Sequence, residues 1–195
     1  MAASPDRFDA RDIARIAVFA GIIVVLGVVG PIPVPGLVPI TAQTLGVMLA
    51  GTVLGWKRGG AAVLVVFLLV AVGLPVLSGG RGGLGAFVGP TAGYLVGWLP
   101  GVIVIGLIAH AGGRPRVWRT IVGAVVGGIA VIYAVGVPVQ AAVTGISVGE
   151  AGLFSLAFLP GDAIKAAVAV VLTMALARAY PPAFPAVARR RAVAV

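Results

Sequence analysis

Apolar runs of bilayer length recur from one end of this chain to the other, and nothing else in the sequence limits its fold so severely. They cover residues 13–29, 40–55, 60–77, 91–109, 117–137 and 160–180. Each approaches or reaches the roughly 17–25 residues with which an α-helix crosses about 30 Å of hydrocarbon. Lipid offers no water to backbone N–H and C=O groups, so each run must satisfy its own backbone as a helix. Composition agrees, with 61% of the 195 residues hydrophobic and only 10% charged, where a soluble domain carries about a quarter. The expected fold is all-α: one polytopic membrane domain over residues 1–195. It divides into an N-terminal segment at 1–12, a bundle of six transmembrane helices at 13–180 and a basic tail at 181–195.

The basic residues test that count. Arg7, Arg11 and Arg15 cluster around the start of the first run, and Lys57 and Arg58 follow the second. Arg114, Arg116 and Arg119 follow the fourth; Arg178 is at the end of the sixth and Arg189 to Arg191 follow it. The other connections carry only Arg81 and Glu150. Six crossings collect every basic cluster on one side, which is the cytoplasmic one, together with both termini. An odd number would scatter them. The net charge of +9 therefore reads as topology, and since aromatic residues do not interleave with the clusters to make a stacking platform, it points away from nucleic acid. Asp6, Asp9 and Asp12 ahead of a long first run argue against a removable signal peptide. Pro31, Pro33 and Pro35 end the first helix, because proline lacks the N–H donor.

In so apolar a chain the polar residues are the informative ones. Asp162 and Lys165 lie three apart at the start of the sixth run, on one helix face. Two readings stand side by side: a mutual salt bridge with Asp162 complementing the helix dipole, or a polar pocket that binds a solute. The stretch from Ser78 to Gly85 holds a literal GxGxxG at Gly80, Gly82 and Gly85. A membrane run and not a strand precedes it, so it is no dinucleotide site. It is either a plain loop or backbone that approaches a ligand closely. Arg81 is the one cation on the outer side, as a solvated charge or as a lure for an anionic solute. Gln43, Gln140 and Thr91 either bond a ligand or join helices. Tyr94 and Trp98, four apart, are stacking partners, interfacial anchors or core. Glu150 reads as a helix N-terminal charge, and His110 as interfacial.

Catalysis has little to stand on. There is no Ser/His/Asp set, no cysteine, a single histidine and no GxxxxGK[ST] loop. No metal site, no cofactor and no ATP hydrolysis by this chain are expected.

Three motifs in series resemble one family. The run Pro39-Ile40-Thr41-Ala42-Gln43-Thr44-Leu45-Gly46-Val47-Met48-Leu49-Ala50-Gly51 is similar to the second-helix signature of BioY proteins. Gly73-Leu74-Pro75-Val76, Gly79-Gly80 and Gly89-Pro90-Thr91-Ala92-Gly93-Tyr94-Leu95 resemble their third loop and fourth helix. Leu159-Pro160-Gly161-Asp162-Ala163-Ile164-Lys165-Ala166 resembles the opening of their sixth helix. The likeness runs over about residues 10–180 and departs at Ala92, where the family usually has glycine.

The resemblance implies the substrate-capturing S component of an energy-coupling factor (ECF) biotin transporter in a prokaryotic cell membrane. Such a protein takes biotin from the outer side. It works with a transmembrane coupling subunit and two ATP-binding-cassette ATPases on other chains, which use the ATP. The implied biotin site joins Asp162 and Lys165 to Gln43, Arg81, Gly82, Gly83, Thr91 and Tyr94. The implied coupling-subunit contact is the small-residue face of the first helix, Ala10, Ala14 and Ala17, whose spacing permits close helix approach. The rivals are an S component for another vitamin, a secondary transporter working alone, for which an internal repeat is expected, and a membrane enzyme, for which Asp162 alone supplies no carboxylate cluster.

Overall fold

The computed structural model describes residues 9–28, 30, 41–113 and 115–184. Arg7, Arg114, the prolines at 31, 33 and 35 and the Arg189–Arg191 tail lie outside them. The elements are α1 (Ala10–Val28), α2 (Gln43–Leu49), α3 (Gly55–Ala71), α4 (Ala92–Ala109), α5 (Val117–Val125), α6 (Ile132–Thr144), α7 (Val148–Leu156) and α8 (Leu159–Ala179). π-helical turns at Ala50–Leu54 and Val126–Val131 join α2 to α3 and α5 to α6. Among the described residues there is no strand, only an isolated bridge between Leu77 and Arg81.

Among the described residues, four helical stretches are long and apolar enough to cross a membrane: Gln43–Ala71, Ala92–Ala109, Val117–Thr144 and Leu159–Ala179. The first of them is a hairpin. Gly55 adopts φ 76° and ψ −179°, a backbone state that glycine enters without the steric cost a Cβ would bring. Beyond it the chain folds back, so that a Cβ on Gly59 would lie 3.0 Å from the Ala50 carbonyl oxygen. Nine residues along one straight helix would separate them by about 13 Å. At the far end of the hairpin the Gln43 amide nitrogen reaches the Val76 carbonyl at 3.1 Å. α3 thus begins at the turn itself and ends at Ala71, displaced from the expected 60–77. Pro75 lies in the loop beyond it.

Val117–Thr144 is continuous through Pro138, whereas the apolar run read from the sequence ends at Val137. Proline deletes one rung of the ladder, but helices in lipid tolerate it where neighbours re-satisfy the freed carbonyl. The helix stops instead at Gly145, left-handed at φ 73°, whose N–H bonds the Ala141 carbonyl at 2.9 Å. Two residues on, Ser147 and Glu150 close a capping box that starts α7. The Ser147 hydroxyl and amide hold the Glu150 carboxyl below its ordinary range.

α4 is the axis of the bundle. A Cβ on Gly93 would meet the Val135 carbonyl oxygen at 2.8 Å, one on Gly97 that of Ile132 at 3.1 Å, and one on Gly101 that of Gly127 at 2.8 Å. This small-xxx-small stripe lets α4 and the Val117–Thr144 helix touch along their backbones. The core between helices is aliphatic and dense, with Ile23, Val47, Met48, Val66, Val102 and Ile105 all fully buried. The outer surface is apolar too: Val25, Leu68, Ile164 and Val171 are each 65–66% exposed. A chain with such a surface suits lipid and not water.

The two ends of the bundle differ. At one, Arg58 clasps the buried Asp12 through Nε at 2.6 Å and a terminal nitrogen at 2.8 Å. Arg15 donates to the Pro182 carbonyl at 2.9 Å, and Phe184 is buried beside Val53 and Leu54. The described chain thus starts and finishes at this end. At the other end lie the start of α2, the loop after α3 and the starts of α4 and α8.

Candidate functional site

Those four segments, with the middle of the Val117–Thr144 helix, enclose a cavity. Its lining includes Thr41, Gln43, Thr44, Leu77, Arg81, Thr91, Tyr94, Trp98, Ile132, Tyr133, Phe158, Asp162 and Lys165. Its empty volume, mouth included, is about 720 Å³. An apolar wall with a few convergent polar groups is the usual make-up of a small-molecule site.

Asp162 is 5% exposed in the first turn of α8, where the helix N-terminus favours its charge. Lys165 Nζ donates to Asp162 Oδ1 at 2.9 Å and to Thr44 Oγ1 at 3.1 Å. Tyr133 donates to Asp162 Oδ2 at 2.6 Å. An ammonium has three N–H donors and a carboxylate about four acceptor sites. These contacts therefore leave Lys165 a donor, and Asp162 acceptor positions, for a ligand. The salt bridge that the sequence suggests exists, and it borders a cavity.

The aromatic wall is fixed by the same logic of partnered hydroxyls. Tyr94 donates to Gln140 Oε1 at 2.7 Å and lies 2.6 Å from Ser155 Oγ, which ties α4 to α6 and α7. Its ring meets Tyr133 and Phe158 edge to face, with centroids 6.0 and 6.3 Å away. With its hydroxyl so engaged, Tyr94 offers a ligand mainly its ring.

At the mouth, the glycine-rich loop is ordered by its own bonds. Leu77 and Arg81 exchange backbone hydrogen bonds at 2.9 and 3.2 Å, and Gly83 N–H bonds Val70 O at 2.7 Å. Arg81 is exposed, with Nε on Ser78 O at 3.2 Å and a terminal nitrogen on Thr91 Oγ1 at 3.2 Å. Gln43 holds the loop from beneath, giving its amide N–H groups to Ile23 O and Val76 O and accepting from Ser78 N–H at 2.9 Å.

Of the residues singled out in the sequence, Gln43, Arg81, Thr91, Tyr94, Asp162 and Lys165 meet at this cavity. Gly82 and Gly83 are outside its lining. A Cβ on Gly82 would collide with the Leu74 carbonyl, so Gly82 closes the loop against the end of the hairpin. Ala10, Ala14 and Ala17 are remote from the cavity, exposed along α1. His110 bonds Thr52 O at 2.9 Å near the opposite end. Tyr133, Thr44 and Phe158 were not singled out by the sequence. A tyrosine hydroxyl within an apolar run must find a partner, and that signal marks Tyr133. Nothing comparable marks Thr44 or Phe158. Among the described residues no cluster of side chains suits a metal ion.

Comparison with known proteins bears on this cavity. The model of the BioY family matches residues 1–182. The biotin transporter BioY of Rhizobium etli is 51% identical over 180 residues, which cover 88% of this chain and 95% of its own. That of Rhodobacter capsulatus is 47% identical over 186 residues, covering 89% and 96%. The crystal structure of the S-component for biotin from an ECF-type ABC transporter is similar with a TM-score of 0.83 and 30% identity, over 90% of this chain and 95% of that one.

Proposed function

This chain belongs to the BioY family, a family of transporters and not of enzymes, and we propose that it captures biotin at the outer face of a prokaryotic cell membrane as the S component of an ATP-driven ECF transporter. One observation carries the reading. The Asp162–Lys165 pair, in a bundle otherwise almost free of charge, borders a small-molecule cavity with donors and acceptors to spare. Biotin's ureido ring presents two N–H donors and a carbonyl acceptor, which suit a carboxylate beside an ammonium. Its valerate carboxylate suits Arg81 at the mouth. The aromatic and aliphatic wall suits the rest of the molecule.

Purified protein, freed of any vitamin carried through purification, should bind biotin tightly and one to one in a calorimetric titration. Tighter binding of a different vitamin would transfer the chain to the S components of that vitamin, and no binding of either would end the reading.

The orientation follows from charge. Six crossings, with both termini and Lys57, Arg58, Arg116 and Arg119 in the cytoplasm, leave the cavity, Arg81 and Glu150 outside. The meeting of Arg15 with Pro182 at the end away from the cavity supports it. Because the chain has no cysteine, single cysteines report cleanly. Glu150→Cys should react with an impermeant maleimide in intact cells, and Lys57→Cys only after lysis. The reverse pattern would invert the topology.

Transport in this reading needs other chains, since no nucleotide-binding loop exists here to use ATP. A coupling subunit would dock on the small-residue face of α1, and two ATP-binding-cassette ATPases would supply the energy.

A further inference from the structure

Asp162 is usually read with Lys165, its neighbour one turn away, yet its shortest contact comes from another helix. Tyr133 donates to Oδ2 at 2.6 Å while Lys165 holds Oδ1 at 2.9 Å. One donor on each oxygen fixes the plane of the carboxylate as well as its place, which a single ion pair does not do. Tyr133 is itself set with care. It lies just beyond Ile132, the residue that caps the end of the π-helical turn Val126–Val131; that turn takes in an extra residue and so turns the helix beyond it by about 100° relative to uninterrupted α-helix. π-turns of this kind are frequent at functional sites. The Tyr133 ring is braced edge to face by Tyr94 at 6.0 Å, and Tyr94 is anchored in turn by Gln140 and Ser155.

We infer that Tyr133 is a positioning residue for ligand selection: its hydroxyl orients the Asp162 carboxylate so that the remaining acceptor positions face the N–H donors of a cyclic urea. The inference rests on the reading of this cavity as the biotin site. It adds that selectivity for the ring resides partly in a residue of the fifth membrane run, acting through Asp162.

Tyr133→Phe is the test, since it keeps the ring and removes only the hydroxyl. Loss of one hydrogen bond to a charged group that the ligand uses should weaken biotin about three- to tenfold. In an Asp162→Asn background the same substitution should change affinity by less than about twofold, because the group it orients is already altered. A second measurement covers the case in which Asp162→Asn binds too weakly to titrate. The wild-type protein should discriminate against biotin carrying a methyl group on one ureido nitrogen, and Tyr133→Phe should narrow that discrimination. Melting temperatures of the unliganded variants are measured alongside. Wild-type affinity and wild-type discrimination in Tyr133→Phe, with or without a lower melting temperature, would overturn the inference and leave the biotin reading standing. Equal losses in both backgrounds would also overturn it, by showing that Tyr133 acts apart from Asp162. A wild-type protein that fails to bind biotin would remove the biotin reading and this inference together.

Discussion

Asp162→Asn and Lys165→Ala should each weaken biotin binding by at least about tenfold, while membrane insertion and folding survive. The size follows from burial. Removing one partner of an enclosed, charge-assisted hydrogen bond costs about 1.5–3 kcal/mol, or roughly tenfold to more than hundredfold in affinity. Asp162→Asn is the sharper of the two. It keeps the shape of the side chain, but removes the charge and replaces one acceptor oxygen with a donor. That amide would face Lys165 or Tyr133, each of which now donates to a carboxylate oxygen. Lys165→Ala frees Thr44 as well as Asp162 and leaves a carboxylate near the membrane interior with Tyr133 as its donor. A purely structural salt bridge forecasts something else: lower melting temperatures in both variants and wild-type affinity in whatever remains folded. Biotin titrated into each folded variant separates the two. Wild-type affinity in both would mean that the pair holds the helix and not the ligand.

How far the sequence could be read depended on whether a feature arises from one helix or from several. Apolar runs and basic clusters are properties of single segments, and they marked all the helices described here that are long enough to cross a membrane. Helix ends were harder, because they are set by contacts the runs do not contain. Trp56-Lys57-Arg58 suggested a connection after residue 55, yet α3 starts at Gly55 with no loop at all, since one glycine at φ 76° reverses the chain. Pro138 suggested a stop, and the packing of α6 on α4 carried the helix past it to Gly145. The stripe Gly93, Gly97, Gly101 was legible as small-xxx-small spacing, but the same spacing drew attention to α1 instead.

The site shows the same division. Asp162 and Lys165 stood out because charge in an apolar run is costly. Gln43 and Tyr94 stood out as polar groups, yet which of their atoms remain for a ligand depends on partners from elsewhere in the chain. Gln43 is engaged by Ile23, Val76 and Ser78, and the Tyr94 hydroxyl by Gln140 and Ser155. Tyr133 reaches Asp162 from a helix whose register a π-helical turn alters, and no periodicity in the sequence announces that turn.

Ala14→Leu should weaken assembly with the coupling subunit by roughly five- to hundredfold, and leave biotin affinity of the isolated chain unchanged. The helix has two contrasting faces. Asp12, Ile16, Ala20, Ile23 and Gly27 are buried against the bundle, whereas Ala10, Ala14, Ala17 and Gly21 are all exposed. A Cβ on Gly21 would meet nothing within 4 Å, so this stripe is not spent on packing within the chain. Small residues at such spacing let a second helix approach to backbone contact, and three added carbons at its centre would hold the two apart. Overpacking of that kind costs about 1–3 kcal/mol, which gives the stated range at 1.4 kcal/mol per decade. Binding should be spared because Ala14 lies one residue from Arg15, at the end of the bundle that Pro182 closes, away from the cavity. The measurement is co-purification of coupling subunit and ATPases with the variant, beside a biotin titration of the variant alone. If Ala14→Leu assembles as the wild type does, the stripe faces lipid and the docking surface lies on another helix. If it also loses biotin, the substitution has disturbed the bundle, and Ala14→Gly, which adds no volume, should then keep both properties.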